Sequence, residues 1–322
     1  MPLVDVVIVN YNGGPYLRRA IAALQAQTFR DFRIIVVDNA STDDSLEGLE
    51  EHPVPLVVVR AGSNLGFAAA NNLAIRAHVK AEWTALLNPD AFPRPDWLQR
   101  MLDGAAEHPA FAFFGCRMLD AADPARLDGT GDAYHVSGLH WRDGHGCTDR
   151  AAYHAPEEIF SPCAAAALYR TADLLAIGLF DEDFFCYAED VDLGFRLRLQ
   201  GLRCLYLPDA VVAHVGSGIT GVRSAFSLYH GHRNLVWAYV KNMPGALFWR
   251  YLPYHLLLNV YSLFIFAVRG QGQPLWRAKR DALLGLTAAW RKRGEIQARR
   301  RASAREIRAV MRGGYPDKSC RR

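Results

Sequence analysis

The sequence predicts an α/β protein built on a mostly parallel, doubly wound β-sheet flanked by helices. Apolar, β-branched runs alternate with segments of helical periodicity over the first part of the chain, a pattern typical of parallel strands joined by crossover helices. Polar residues follow directly after each of these runs. Ligands bind at that edge of a parallel sheet, so the same pattern also predicts where a functional site lies.

The N-terminal part supplies four strands and three helices to this prediction. Helical periodicity marks residues 16–27 and 64–79. A further helix is predicted from Ser41, a favourable N-cap residue followed by acidic residues in the first turn. The predicted strands are residues 3–9, 32–38, 55–60 and 83–88.

The middle of the chain is less regular. Residues 119–155 are rich in Gly, Asp and His and predict an irregular or hairpin segment. Residues 190–200 form an amphipathic pattern that ends before Gly201, a favourable residue after a helix. Two short strands are expected at 203–208 and 210–215.

The region after about Ser224 differs in character. Residues 246–268 are apolar over a length that can cross a membrane. Basic residues flank both ends, which disfavours a single span. We expect a helix lying in the cytoplasmic membrane interface, with a buried core or dimer helix as the alternative. We therefore divide the chain into a catalytic domain, 1–240, and an extension of apolar helices and basic tail, 241–322.

Composition narrows the function classes. Apolar residues make up 51% of the 322 residues, enough for a large core, and the net charge of +4 gives no indication of nucleic-acid binding. The positive charge concentrates near the C-terminus, where it suits anionic phospholipids or simply a solvated helical tail. Six cysteines without a CxxC pair, and no signal-peptide pattern, predict free thiols in the cytoplasm.

The first strand end argues against two common nucleotide sites. The sequence there is NYNGGPYL, which lacks the GxGxxG of dinucleotide-binding folds, and no GxxxxGK[ST] loop occurs in the chain. Asp38 ends the second strand and suits either the ring N–H of a pyrimidine base or an Asx turn. Asp90, in LLNPDAF, is either part of a turn or a ligand.

Four ordered motifs carry a family resemblance. They resemble the glycosyltransferase family 2 enzymes of GT-A, Rossmann-like fold, particularly bacterial rhamnosyltransferases, over roughly residues 3–240. The motifs are VVIVNYNGGPYL through VVDNASTDDS, GSNLGFAAANN, LLNPDAF, and FDEDFFCYAEDVDLGFRLRLQ through AVVAHVGS.

The resemblance implies a nucleotide site at the strand ends. It places a nucleobase against the first strand end, where Tyr11 stacks, and gives the base N–H to Asp38. The sugar side of the cleft follows from the second motif. The implied nucleotide-binding residues are Val9, Asn10, Tyr11, Asp38, Asn64, Gly66 and Asn71.

The resemblance also implies a divalent cation, Mn²⁺ or Mg²⁺, on the donor diphosphate. Asp90 occupies the last position of the family's Asp-x-Asp motif, while Asn88 replaces the first Asp and is a weaker ligand. His214 matches a metal-binding histidine of related enzymes, and imidazole favours Mn²⁺. Without the resemblance, His214 is a hydrogen-bonded core histidine.

The acidic cluster at 189–192 supplies the catalytic base. The resemblance assigns that role to Asp190, while the neighbouring acids can simply complement the helix dipole. Arg233 is expected to contact the diphosphate, alternatively to act as a surface or capping arginine, and Arg223 is a weaker candidate.

The expected protein is an inverting, metal-dependent glycosyltransferase, peripheral on the inner face of the cell membrane. It moves L-rhamnose from dTDP-rhamnose, or another sugar from a UDP donor, to a glycan or polyprenyl-linked acceptor in cell-surface polysaccharide synthesis. A non-catalytic membrane-associated scaffold on the same fold is an alternative that Asn88 supports. A nucleotidyltransferase is a third option, but NYNGGP lacks the basic residue such a loop needs.

Overall fold

The computed structural model describes residues 1–49, 53–216 and 224–315. The strands of these ranges are β1 (Val4–Asn10), β2 (Phe32–Asp38), β3 (Leu56–Arg60), β4 (Trp83–Leu87), β5 (Ala91–Pro93), β6 (Phe113–Asp120), β7 (Leu127–Gly129), β8 (Asp132–Tyr134), β9 (His140–Arg142), β10 (Glu157–Ile159), β11 (Ala166–Arg170) and β12 (Cys204–His214). The α-helices are α1 (Gly14–Gln25), α2 (Gly66–Ala77), α3 (Trp97–Glu107), α4 (Thr171–Ala176), α5 (Glu189–Leu199), α6 (Ala225–Asn242), α7 (Gly245–Val268), α8 (Gly272–Leu284), α9 (Leu286–Ala298) and α10 (Ala304–Ala309).

One mixed sheet dominates the fold, in the order β10-β12-β6-β11-β4-β1-β2-β3. Strands β4, β1, β2 and β3 run parallel, and β6 and β12 form a second parallel pair. Antiparallel β11 joins the two parallel groups. The predicted α/β fold with a sheet flanked by helices is therefore confirmed. The two short strands predicted at 203–208 and 210–215 are instead one strand, β12, whose register shifts between Leu207 and Val211.

Helices cover both faces of the sheet. On one face α1 and α3 pack against the strands through buried side chains that include Leu17 and Trp97. On the other face α2 and α5 do so through residues such as Ile75 and Leu193. Because both faces are covered, β1 and β2 consist of nearly continuous buried apolar residues.

The helix predicted from Ser41 is wrong for the described residues of that segment, which form bends and turns up to residue 49. The Ser41 backbone N–H donates to the Asp38 carboxylate, and the Ser41 hydroxyl accepts from Asn10. The Asp43 carboxylate accepts from the backbone N–H of Gly14. Short polar side chains that bond to neighbouring segments in this way compete with helix formation.

The C-terminal helices pack onto the sheet domain through a shared core. Phe160 and Phe195 meet Tyr239, Phe248 and residues of α9 and α10 in one buried cluster. The boundary expected at 240/241 falls inside α6.

Helix α7 exposes apolar side chains and buries polar ones. It is long and apolar enough to cross a membrane, yet only 11% of its most apolar window is buried, so it is not a core helix of this chain. Its polar His255 and Ser262 are buried against the protein, where the His255 ring stacks on Tyr239. The exposed apolar residues of α7 are Trp249, Tyr254, Leu256, Leu257, Val260, Tyr261, Phe264 and Val268. A helix at a water-facing surface normally shows the opposite arrangement.

The cysteines follow the expectation in part. Cys116, Cys163, Cys186 and Cys204 are free thiols. Cys147 is disulfide-bonded, which corrects the expectation for that residue. Cys320 and Arg223 lie outside the described residues.

Candidate active site

The carboxyl ends of β1, β2 and β4 open into a cavity of about 800 Å³. The β8–β9 hairpin, the start of α5 and the start of α6 also line it. The fold brings together eight of the predicted site residues, which are far apart in sequence. The eight lining residues are Val9, Tyr11, Asn64, Gly66, Asn88, Asp90, Asp190 and His214.

Three predicted nucleotide residues lie behind the cavity wall. The amide N–H₂ of Asn10 donates to the hydroxyls of Ser41 and Ser45. Asn71 donates to a carbonyl of its own helix. Asp38 is buried, accepts the N–H of Ser41 three residues along the chain and lies 3.7 Å from the Arg60 guanidinium.

Two close contacts shape the part of the cavity next to the start of α2. The amide of Asn39 donates to Asn64 and accepts from the Leu65 backbone, which fixes the turn into α2. Gly66 has a φ of +78°, and a Cβ there would lie 2.5 Å from the ring of Phe185. A side chain at position 66 would therefore push Phe185 away from α2, and both positions line the cavity. Asn39 also lines the cavity and was not predicted from the sequence.

Asp90 and His214 meet at the end of β4 and β12. His214 Nε2 lies 3.3 Å from Asp90 Oδ1 and has no hydrogen-bond partner, although the ring is buried. Its Nδ1 donates to Asp128 Oδ2 over 2.7 Å. Burial acts to lower the pKa of His214. The hydrogen bond to Asp128 and the nearby Asp90 carboxylate together raise this pKa by more than burial lowers it, so the net shift is upward.

This pair fits a divalent cation. Adjacent ligands of an octahedral cation, each about 2.1 Å from it, are about 3 Å apart, close to the separation of Asp90 Oδ1 and His214 Nε2. A carboxylate that accepts from the other ring nitrogen is the usual support of a metal-binding histidine. Among the described residues no cluster of three or more His, Cys, Asp or Glu side chains has metal-site geometry. Within the part of the chain that the structure describes, Asp90 and His214 are therefore the side chains placed to hold a cation.

Asp128 was missed by the sequence analysis because it lies in the irregular segment 119–155. Arg142 on β9 pairs with the same carboxylate. Burial raises the pKa of Asp128, but Arg142 and His214 outweigh it and lower the pKa to about 2. Asp128 is therefore a carboxylate at neutral pH, as the contact with His214 Nδ1 requires.

Asp190 lies in the first turn of α5 and faces the same cavity. Its two oxygens accept from the backbone N–H groups of Ala164 and Val191 at 3.2 and 2.8 Å. Two further acids line the cavity wall, Asp132 and Glu189, and both are buried. Burial and the nearby Asp190 raise the pKa of each well above its ordinary value.

The segment before Asp190 has a strained backbone. Phe185, Tyr187 and Ala188 all have positive φ, which is costly for residues with a Cβ and is frequent at functional sites. The side-chain amide of Asn234 on α6 donates to the carbonyls of Phe184, Cys186 and Tyr187.

Arg233 acts on the same segment. Its guanidinium donates to the carbonyls of Asp183 and Phe184 and stacks over Trp237. It does not line the cavity. The structure thus gives Arg233 partners other than the diphosphate expected from the sequence.

The mixed sheet with helices on both faces and a cavity at its carboxyl edge has the GT-A type of fold. A sequence profile comparison then shows the family: residues 5–173 match the family described as "Glycosyl transferase family 2". The chain belongs to this family.

Individual proteins resemble this chain at low sequence identity. The chain is 28% identical over 252 residues to the N-acetylglucosaminyl-diphospho-decaprenol L-rhamnosyltransferase of Mycobacterium tuberculosis, covering 72% of this chain and 82% of that protein. Among solved structures, the mannosyltransferase PcManGT of Pyrobaculum calidifontis, in complex with GDP-Man and Mn²⁺, matches with a TM-score of 0.56 at 20% identity. That match covers 96% of this chain and 86% of the other. Residues 1–349 of S. aureus TarS in complex with UDP-GlcNAc match with a TM-score of 0.58 at 18% identity, covering 95% and 90% of the two chains.

Proposed function

We propose that this protein is an inverting, divalent-cation-dependent glycosyltransferase that moves L-rhamnose from dTDP-L-rhamnose to a glycan or polyprenyl-linked acceptor in cell-surface polysaccharide synthesis. The observation that carries the proposal is the meeting of Asp90, His214 and Asp190 in one cavity at the carboxyl edge of the sheet. The M. tuberculosis relative supports rhamnose as the transferred sugar.

In this mechanism Asp190 is the general base. It takes the proton of the acceptor hydroxyl while that oxygen attacks the anomeric carbon, and the bond from this carbon to the diphosphate oxygen breaks. Attack from the side opposite the leaving group inverts the anomeric configuration in one step. The backbone N–H groups of Ala164 and Val191 hold the carboxylate in place.

Asp90 and His214 would hold the cation, with Asn88 beside them in the cavity. A bound Mn²⁺ or Mg²⁺ supplies positive charge to the departing nucleoside diphosphate. Val9, Tyr11, Asn64 and Gly66 would line the nucleoside, with Asn10, Asp38 and Asn71 supporting that wall from behind.

A donor panel tests the specificity. Thermal shift and transfer are measured with dTDP-, UDP- and GDP-sugars, each with Mn²⁺, Mg²⁺ or EDTA, because a bound ligand raises the melting temperature. We expect dTDP-L-rhamnose with Mn²⁺ to give the largest shift and the fastest transfer. A larger response to a UDP-sugar would replace the donor assignment, and full activity in EDTA would contradict metal dependence.

The catalytic assignment has its own variant. Asp190→Asn keeps the shape of the side chain but removes the base, so transfer should fall by about 10²–10⁴-fold. Asp31→Asn, at an exposed aspartate directly before β2, is the matched control and should transfer as the wild type does. Wild-type transfer by Asp190→Asn would contradict its role as the base, whereas no turnover of any donor by the wild-type protein would support the scaffold alternative.

We also propose that α7 lies on the inner face of the cell membrane. Helix α7 packs against α8, which adds exposed Trp276, Leu283 and Leu284. Exposed Arg269, Arg277 and nearby arginines provide positive charge for anionic headgroups. An apolar helix face bordered by cationic residues is typical of proteins that bind a membrane interface.

Flotation with phosphatidylcholine vesicles, with and without phosphatidylglycerol, tests this surface. The variant Leu257→Ser/Val260→Ser/Phe264→Ser should lose binding, whereas Leu175→Ser, an exposed leucine on α4, should not. Salt should weaken binding to the anionic vesicles. Unchanged flotation of the triple variant would reject the interface, and resistance to alkaline carbonate would indicate a spanning helix.

A further inference from the structure

A second cavity, of about 440 Å³, lies between α9 and the start of α7. It shares no described lining residue with the candidate active site. The polar and aromatic side chains that line it come from α9 and the residues just after that helix, and the first residue of α7 completes the lining. These residues include Gly245, Trp290, Arg291, Arg293, Gln297 and Arg300.

Arg293 is the most buried arginine of this cavity, with only 8% of the residue exposed. Its Nη1 donates to the carbonyls of Val240 and Met243 at the end of α6, over 2.8 and 2.6 Å. Within the described part of the chain its Nε and Nη2 have no hydrogen-bond partner, and neither is among the polar atoms that the protein encloses completely. The guanidinium is thus held in place on one side while donors remain on the other, an arrangement that suits phosphate oxygens.

Two further arginines bring positive charge to the same cavity. Arg291 is exposed and Arg300 is partly buried. Burial lowers the pKa of Arg293, and the positive charge of Arg300 lowers it further, although arginine stays charged at neutral pH. The described lining residues include no aspartate or glutamate. Like charges held together repel one another, and an anion bound between them offsets that repulsion.

The start of α7 adds to the positive field of the arginines. Gly245 is exposed, and the N-cap residue, Pro244, forms no side-chain cap. The first N–H groups of a helix carry a partial positive charge and can donate to phosphate oxygens. The cavity therefore combines three guanidinium groups with an uncapped helix start.

The position of the cavity indicates where its anion comes from. It adjoins α7, the helix proposed above to lie on the membrane. Trp249 on α7 and Trp290 on α9 are 65% and 50% exposed, and the rings of both contact Phe248. Exposed tryptophans are typical of the headgroup level of a membrane. An anion at this level is the phosphate of a lipid headgroup.

From these contacts we infer that the cavity binds the headgroup of an anionic phospholipid, with Arg291, Arg293 and Arg300 as the partners of its phosphate oxygens. Three guanidinium groups suit a headgroup with two negative charges better than a headgroup with one. The inference rests on the proposed position of α7 at the membrane and adds a site that distinguishes one lipid from another.

Charge-matched vesicles test the inference. Flotation of the full-length protein is compared between phosphatidylcholine vesicles that contain cardiolipin, which carries two phosphates, and vesicles with twice the molar fraction of phosphatidylglycerol. Diffuse attraction depends on the surface charge, which is the same in both. We expect the affinity for the cardiolipin vesicles to be about tenfold higher, because the cavity forms charge-assisted hydrogen bonds to both phosphates. Equal affinity would overturn the site and leave α7 on the membrane, whereas no flotation with any vesicle would overturn the membrane proposal as well.

A matched pair of double variants separates the cavity from surface charge. Arg291→Gln/Arg300→Gln removes two of the three charges of the cavity and should reduce the preference for cardiolipin to less than about twofold. Arg299→Gln/Arg301→Gln removes the same charge from exposed positions that do not line the cavity, so it should weaken binding to both vesicles alike and keep the preference. Circular dichroism checks that both variants fold.

Two outcomes of this comparison would contradict the inference. A preference that survives in Arg291→Gln/Arg300→Gln, or that disappears equally in Arg299→Gln/Arg301→Gln, would assign the attraction to surface charge alone. Thermal shift with inorganic phosphate tests a different source of the anion. If phosphate stabilised the wild type but not Arg291→Gln/Arg300→Gln, and the vesicles showed no preference, the cavity would bind a soluble phosphate and the lipid assignment would be overturned.

Discussion

The Lys241 ammonium, on α6, lies 2.8 Å from the Asp192 carboxylate on α5, two residues after Asp190. Both side chains are almost completely buried. Asp192 also accepts from Arg196 and from the Asn242 amide, and Lys241 also pairs with Asp181. The helix that carries Asp190 is thereby fixed to the C-terminal helices by charge as well as by the shared apolar core.

Lys241→Met should destabilise the protein by about 3–5 kcal/mol, because it leaves two buried carboxylates short of their countercharge. Methionine keeps most of the side-chain volume, so the loss reports charge. Urea unfolding followed by circular dichroism measures the change. Lys80→Met, an exposed lysine at the end of the loop before β4, is the control and should change stability by less than about 0.5 kcal/mol. A similar small effect of Lys241→Met would show that the cluster contributes no net stability.

Some features of the fold and of the candidate site can be predicted from the sequence, and others cannot. Strands β1, β2 and β4 and the positions of Asp90 and Asp190 follow from local periodicity and ordered motifs, since each signal lies within a short stretch. Asp128 has no such signal, because its role arises only when the irregular segment meets β12 near His214.

The helix predicted from Ser41 is wrong for the same reason. The residues after Ser41 have the composition of a helix start, but their hydrogen bonds go to Asn10 and Gly14 in other elements. Arg233 has a chemistry that suits phosphate, yet its donors are directed to carbonyls of the strained segment. Side-chain partners that are distant in sequence are not encoded in local patterns.

Asn234→Ala should lower kcat more than it changes the donor KM. The N–H₂ group of Asn234 lies within hydrogen-bond distance of three carbonyls around the positive-φ residues that precede Asp190. Its removal should let this segment relax and misplace the base. We expect kcat to fall by about 10–100-fold, since small displacements of catalytic groups have effects of this size. Steady-state kinetics with the donor identified above measures both constants.

The control for this variant is Asn259→Ala. The Asn259 amide donates to a carbonyl of its own helix, α7, and does not contact the segment before Asp190. Its kcat should match the wild type. If Asn234→Ala kept the wild-type kcat, the hydrogen bonds from α6 would have no part in positioning Asp190.

Lys279 should make the free energy of unfolding depend on pH above neutrality. Burial between α6 and α8 lowers its pKa to about 7, and its ammonium donates to the carbonyl of His232. The unfolded chain, with an ordinary lysine pKa of about 10.4, binds this proton over a range in which the folded chain has released it. The free energy of unfolding should therefore gain a contribution as pH rises from about 7 to about 10.

Lys279→Met removes that contribution. The variant should be more stable than the wild type at pH 7.5, and the difference should shrink towards pH 10, as measured by urea unfolding at each pH. Lys80→Met should show no pH-dependent difference from the wild type. A constant difference across this range for Lys279→Met would mean that Lys279 stays charged in the folded protein.

Asp128→Asn should weaken metal binding although Asp128 is not itself a proposed ligand. The Asp128 carboxylate holds the His214 ring with Nδ1 protonated, so that Nε2 faces Asp90. An amide accepts the N–H less strongly and leaves Arg142 without its charged partner, so the ring loses its fixed orientation. Removal of such a support typically lowers metal affinity by about 10–100-fold. Titration with Mn²⁺ followed by electron paramagnetic resonance measures this affinity without substrate turnover. Asp149→Asn, at a carboxylate that pairs with Arg117 outside the cavity, is the matched control and should bind Mn²⁺ as the wild type does. Equal affinity in Asp128→Asn and the wild type would show that His214 reaches the cation without help from Asp128, or does not bind it.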